Sequence, residues 1–242
     1  MENNKLIKEQ IKKLVRLKEL GIVKSIEFTM NGTFKVIISD SVNEISEGTF
    51  CGCDLIGEII IPNSVTVIGD RAFYCCKSLE KIIIPDSVTK IGTSTFFYCD
   101  SLKEIAIPNL VTEIGDRAFC YCTSLEKVAI PDSVTKIGDC AFCYCTSLKE
   151  IAIPDSVTKI GNGVFSYCSS LEEIIIPDSV TEIDCFGLGL YFSLNTIYCT
   201  KEQEQMLRDS SLPKQVHIVI KEQEQEKGVK KALVLKSKTR KN

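Results

Sequence analysis

The chain has no tryptophan, only three methionines and a single histidine, His217. One histidine removes the usual general base for a serine or cysteine nucleophile. No glycine-rich phosphate loop opens a strand-to-helix unit. No apolar run approaches the ~18–20 residues of a membrane-spanning helix. Met1-Glu2-Asn3-Asn4-Lys5 leads into charged sequence without the apolar core of an export signal, so a cytoplasmic location is expected. These scarcities leave an enzyme, a cofactor protein and a transmembrane protein without support.

What is present is period. Pro62, Pro85, Pro108, Pro131, Pro154 and Pro177 follow one another at intervals of 23 residues. A fixed period in the range of about 20–50 residues marks a stacked repeat architecture. Counting each proline as position 0, position 3 is Val65, Val88, Val111, Val134, Val157 and Val180. Position 6 is Ile68, Ile91, Ile114, Ile137, Ile160 and Ile183, and position 11 is Phe73, Phe96, Phe119, Phe142 and Phe165, with Leu188 in the last copy. Leucine recurs at position 17, and isoleucine or valine at positions 20 and 22. No single copy can bury these residues; stacking makes them one continuous core. Val42, Ile45, Phe50, Cys53, Ile56, Ile59 and Ile61 fit the same positions behind Ser39, giving about seven coils.

Each coil reads as a strand, a turn, a short helical turn and a return. Glu150-Ile151-Ala152-Ile153 alternates with period 2 and predicts a strand, which proline ends. Gly at position 7 predicts a turn, and Asp70, Thr93, Asp116, Asp139 or Asn162 at position 8 predicts an N-cap for a helical turn carrying Ala-Phe inward, as in Ala141-Phe142. Thr66, Thr89, Thr112, Thr135, Thr158 and Thr181 at position 4, and Asn or Asp at position 1, form polar rows read as turn chemistry. The last coil is worn, since Asp184, Leu188 and Tyr191 replace the usual glycine, phenylalanine and cysteine.

Residues 1–38 read as a cap. Ile7, Ile11, Leu14 and Val15 place an apolar stripe on a helix over residues 4–20, expected to cover the open end of the stack. Asn3 or Asn4 is the expected N-cap and Gly21 the C′ residue. Asn31-Gly32 between strand-like runs predicts a hairpin, with Val36-Ile37-Ile38 set 23 residues before Ile59-Ile60-Ile61. The solenoid runs over 39–199. Residues 200–220 are a C-terminal cap in which Ile220 follows Ile197 by 23, and 221–242 a charged, disordered tail.

The unit Cys145-Thr146-Ser147-Leu148-Lys149-Glu150-Ile151-Ala152-Ile153-Pro154-Asp155-Ser156-Val157-Thr158-Lys159-Ile160-Gly161 resembles the repeat of the BspA-like, Treponema-type leucine-rich repeat family, over about 39–199. The resemblance implies a leucine-rich-repeat solenoid with a parallel sheet on one face. It also implies protein-binding or adhesive roles at bacterial and protist surfaces. Ile197-Tyr198-Cys199-Thr200, the charged stretch after it and Leu212-Pro213 are similar to the segment that closes such arrays.

Thirteen cysteines stand in the sequence. Cys53, Cys76, Cys99, Cys122, Cys145 and Cys168 share position 14 and predict a buried ladder, cysteine being a small hydrophobe. Metal binding and disulfides are the weaker readings. Cys51-Gly52-Cys53, Cys120-Tyr121-Cys122 and Cys143-Tyr144-Cys145 are C-x-C pairs, not zinc-knuckle spacings. Cys51, Cys120 and Cys143 at position 12 are expected to be the more exposed thiols.

Strand alternation points positions 19 and 21 outward. Position 19 is Glu58, Lys81, Glu104, Lys127, Glu150 and Glu173, and position 21 is Ile60, Ile83, Ala106, Ala129, Ala152 and Ile175. An exposed apolar stripe beside mixed charge is the expected site for a protein partner. Net charge of −3 divides into +4 over residues 1–35, +5 over 221–242 and −12 between them, so the acidic body is not expected to bind nucleic acid. The expected molecule is a monomeric, non-enzymatic scaffold; the alternative is an adhesin or host-directed effector exported by a non-classical route.

Overall fold

The computed structural model describes residues 2–183, 194–209 and 216–221. Asp184, Leu188, Tyr191, Leu212-Pro213 and the tail beyond Lys221 lie outside the described residues. Helix α1 (Glu2–Glu19) and the antiparallel hairpin β1 (Val23–Phe28) and β2 (Phe34–Ile38) lead into the coils. The strands that follow are β3 (Glu44–Ile45), β4 (Ile56–Ile60), β5 (Val67–Ile68), β6 (Lys81–Ile83), β7 (Lys90–Ile91), β8 (Glu104–Ala106), β9 (Glu113–Ile114) and β10 (Lys127–Ala129). Then come β11 (Lys136–Ile137), β12 (Lys159–Ile160), β13 (Glu173–Ile175), β14 (Glu182–Ile183) and β15 (Thr196–Cys199), before α2 (Lys201–Asp209) and β16 (His217–Ile220).

The coils form a parallel solenoid with two rows of strands. One row is a continuous seven-stranded sheet, β14-β12-β11-β9-β7-β5-β3, built from positions 5 and 6. The other row, from positions 19 to 21, is split into β1-β2-β4-β6, β10-β8 and β13-β15-β16. Glu150–Ala152 makes no strand, against the sequence expectation. Steps pairing Ile37 with Ile60, Ile60 with Ile83, and Ile175 with Tyr198 are hydrogen-bonded, as is Ala106 with Ala129. The three open steps all involve alanine: Ile83 to Ala106, Ala129 to Ala152, and Ala152 to Ile175. The bonded Ala106–Ala129 step shows that alanine by itself does not open a rung.

The core is a stack of identical layers. Phe50, Phe73, Phe96, Phe119 and Phe142 are fully buried, with ring centroids 5.3–5.4 Å apart and planes within 7° of parallel. Position 14 is the buried thiol ladder the sequence predicts, and its sulfurs are partnered. Cys76 Sγ donates to the Phe50 carbonyl at 3.1 Å, and Cys99, Cys122, Cys145 and Cys168 repeat the bond one coil on at 3.1–3.2 Å. The same phenylalanine carbonyl accepts the position 14 amide of its own coil, as Cys53 N to Phe50 O at 3.1 Å. Both lone pairs are thus used inside an apolar core.

The segment at positions 8 to 14, where short helical turns are expected, is a run of tight turns. Ala72 N, Tyr74 N and Cys76 N donate three residues back, while Arg71 N, Phe73 N and Cys75 N donate to the next coil. This alternation needs left-handed backbone at positions 9 and 13, as at Arg71 (φ 53°), Cys75 (φ 57°), Cys140 (φ 55°) and Tyr144 (φ 60°). The position 8 carboxylates therefore do not cap their own segment. Asp70, Asp116 and Asp139 accept the position 8 amide of the following coil at 2.8–2.9 Å. Position 7 must then be glycine: a Cβ on Gly138 would lie 2.4 Å from Asp116 Oδ1 and 2.7 Å from Asp116 N.

The ends are closed differently from each other. The helix begins at Glu2, so Asn3 and Asn4 lie inside α1 rather than capping it. Gly21 (φ 73°) closes it: Gly21 N donates to Lys18 O and Ile22 N to Leu17 O, both at 3.0 Å, a Schellman arrangement. The predicted packing face is rotated. Leu14, Leu17 and Gln10 are buried, whereas Ile7, Ile11 and Val15 are exposed. Gln10 sets this face, since its Oε1 accepts Leu55 N at 2.9 Å. At the other end Thr200 and Gln203 form a reciprocal capping box. Buried Gln203 also donates to the carbonyls of Pro177 and Val180 at 2.6 and 3.0 Å. β16 pairs Ile218, not Ile220, with Ile197, because α2 replaces the standard coil between them.

Candidate protein-binding face

The short strands put the predicted residues on one face. In β6, β8, β10 and β13 the central residue is buried and both neighbours are exposed. Lys81, Glu104, Ala106, Lys127, Ala129, Glu150, Ala152 and Glu173 are exposed, while Glu58 and Ile60 are half-buried. Ile83 is 56% and Ile175 39% exposed, large values for isoleucine on a regular strand. Ile60 sits beside Ile83, and Ala106 beside Ala129, in register.

The face extends beyond the residues singled out from sequence. Lys35 and Ile37 pair with Glu58 and Ile60, and Thr196 and Tyr198 pair with Glu173 and Ile175. Their signal was legible: Ile37 and Tyr198 keep the 23-residue interval. Glu58 lies between two lysines, 3.5 Å from Lys35 and 3.8 Å from Lys81. These pairs are partly solvated, so they order the charge row more than they stabilise the fold.

Two further features of the turn side were not found from sequence. Tyr98, Tyr121, Tyr144 and Tyr167 at position 13 form a half-buried stack with centroid spacings of 4.4, 4.2 and 4.0 Å. Cys120 and Cys143, expected to be exposed, are buried, whereas Cys51 is exposed as expected. The adjacent position is a stacked tyrosine beside the first two, Tyr121 and Tyr144, and glycine, Gly52, beside Cys51. All described cysteines are free thiols.

Other surfaces are less suited to a partner. A groove of 430 Å³ lies on the opposite row of strands, lined by Asp70, Lys90, Thr112, Glu113, Asp116 and Lys136, and is polar and open. Among the described residues no group of three or more His, Cys, Asp and Glu side chains is arranged to hold a metal ion. No helix among them is long and apolar enough to cross a membrane.

The family model for the BspA type leucine rich repeat region matches six copies, over residues 22–149 and 112–212. Among solved structures, a Treponema pallidum leucine rich repeat protein shares 24% identity, with TM-score 0.46, over 72% of this chain and 67% of its own. A leucine rich cell surface protein from Faecalibacterium prausnitzii A2-165 shares 24% identity, with TM-score 0.45, over 75% of this chain and 70% of its own. A leucine-rich repeat protein from Bacteroides ovatus shares 27% identity, with TM-score 0.39, over 81% of this chain and 65% of its own. No curated protein matches the chain.

Proposed function

Because the chain belongs to the BspA type leucine-rich repeat family, we propose that it is a non-enzymatic scaffold that binds a protein partner through the face of positions 19 and 21. The supporting observation is the outward apolar row of Ile60, Ile83, Ala106, Ala129, Ala152 and Ile175, paired in register at Ile60–Ile83 and Ala106–Ala129, beside a row of charges. Exposed apolar surface marks interaction sites, and solenoids use such extended faces to bind. The small residues at the centre let a partner backbone approach closely. The isoleucines at both ends supply the area that is removed from water. A flat, elongated partner surface with an apolar ridge fits this shape.

The test replaces Ala129 and Ala152 with arginine. Both side chains are exposed, so the melting temperature is expected to hold while a partner captured from the native source is lost. Retained capture by the folded double variant removes this face as the binding site.

A further inference from the structure

Positions 9 and 12 of one coil are Cys140 and Cys143, a C-x-x-C spacing that its neighbours lack: Arg117 and Cys120 precede it, and Gly163 and Ser166 follow. A turn joins the two cysteines, with Cys143 N donating to Cys140 O at 3.1 Å. Such a turn keeps its end Cα atoms within about 7 Å, which overlaps the spacing a disulfide spans. The side chains of Cys120, from the preceding coil, and Cys140 both act on the Cys143 thiol. Arg117 places a cation near the same sulfur.

These contacts set the three thiols apart from the position 14 ladder. The Cys120 hydrogen bond holds the Cys143 thiol below its ordinary range, against the effect of burial and helped by Cys140 and Arg117. Cys120, as the donor, is pushed up. The ladder thiols are all pushed up by burial, and Cys168 reaches about 12. Reactive cysteines carry thiolate character and some access, and buried apolar ones are inert. Access here comes through Cys140, which is half-buried. A Cβ on Gly163 would lie 3.0 Å from Cys140 Sγ, so glycine at this one position leaves room over the sulfur.

We propose that Cys140 and Cys143 form a redox dithiol site that hydrogen peroxide converts to an intrachain disulfide, with Cys143 as the attacking sulfur. Cys143 is only 7% exposed, which favours a water-sized oxidant over a bulky disulfide. The Cys143 thiolate forms an S–O bond as the O–O bond breaks, and the departing hydroxide takes up the proton the thiol gave up. Cys140 sulfur then attacks Cys143 sulfur. The S–O bond breaks, and hydroxide leaves as water with the Cys140 proton. Two thiols and one peroxide become one disulfide and two waters.

The experiment treats the folded full chain with hydrogen peroxide, then denatures and alkylates it. The expected product has lost two hydrogens and two alkylatable thiols, with the link inside the tryptic fragment 137–149, and dithiothreitol reverses the change. In Cys140→Ser no disulfide forms, and a sulfenic acid on Cys143 is captured by dimedone. In Cys143→Ser, Cys140 stays unmodified at the same peroxide dose. Since Cys143 is buried, the half-exposed Cys140→Ser carries the inference if Cys143→Ser melts early. Oxidation that starts at Cys51, a link from Cys143 to Cys120, or wild-type behaviour in Cys140→Ser would overturn it.

Discussion

Replacing Phe119 by alanine tests whether the stacked rings hold neighbouring coils together. Phe119 is fully buried between Phe96 and Phe142, with centroids at 5.3 Å on both sides. Truncating a buried phenylalanine costs about 3–5 kcal/mol through lost transfer energy and a cavity. Each aromatic pair adds about 0.5–1.5 kcal/mol beyond area. Phe50 is the matched control. It is equally buried, but among the described residues its ring stacks on Phe73 alone. Phe50→Ala should therefore destabilise by about 0.5–1.5 kcal/mol less than Phe119→Ala. Urea unfolding followed by far-ultraviolet circular dichroism reads both losses. Nearest-neighbour coupling also predicts that Phe119→Ala lowers the m-value, as coils on its two sides begin to unfold separately. Equal losses at the two sites with unchanged m-values would show that the stack adds nothing to coil coupling.

Other outcomes can be checked with the same assay. Gly138→Ala should destabilise by about 1–3 kcal/mol, because the added Cβ meets backbone that cannot step aside. Gly21→Ala should cost about 1–2 kcal/mol through its left-handed backbone although nothing crowds it, and Gly21→Asn less. Burial raises the folded-state thiols of Cys53 to about 11 and Cys168 to about 12, above an ordinary value of 9.0. The unfolded chain then loses these protons first. Stability is full below pH 9.0 and falls as pH rises toward the folded values, by about 1.4 kcal/mol per pH unit for each such thiol. Cys168→Ala should flatten that slope in thermal melts at pH 9–11; an unchanged slope contradicts the buried ladder.

The period made the coil legible, since a residue copied every 23 positions has one environment. Core positions 3, 6, 11, 14, 17, 20 and 22 and the outward alternation of 19 and 21 follow directly from it. Backbone handedness was harder to read. Arg71, Tyr98 and Cys140 sit in left-handed conformations that their side chains do not advertise. Yet Gly48, Gly52 and Gly163 occupy those same positions and carry the signal. The α1 face was misread because apolar spacing favours Ile7, Ile11 and Val15, while a polar residue, Gln10, makes the docking bond. Position 12 misled because exposure there depends on position 13, which is tyrosine beside Cys120 and Cys143 and glycine beside Cys51. The opened rung at Glu150–Ala152 follows no residue type, since Ala106 and Ala129 pair while Ala129 and Ala152 do not.

A surface made of copies lets a visitor shift by one rung and meet nearly the same shape. The charge row limits that freedom. Lys35, Glu58, Lys81, Glu104 and Lys127 alternate in sign from coil to coil, so a slip of one rung sets like charges opposite one another, and a slip of two restores the match. Glu150 continues the alternation and Glu173 breaks it, so that a two-rung slip is no longer silent across the whole length. On the proposed binding face such a row would act as a phase mark, fixing where along a repeating rail a partner comes to rest.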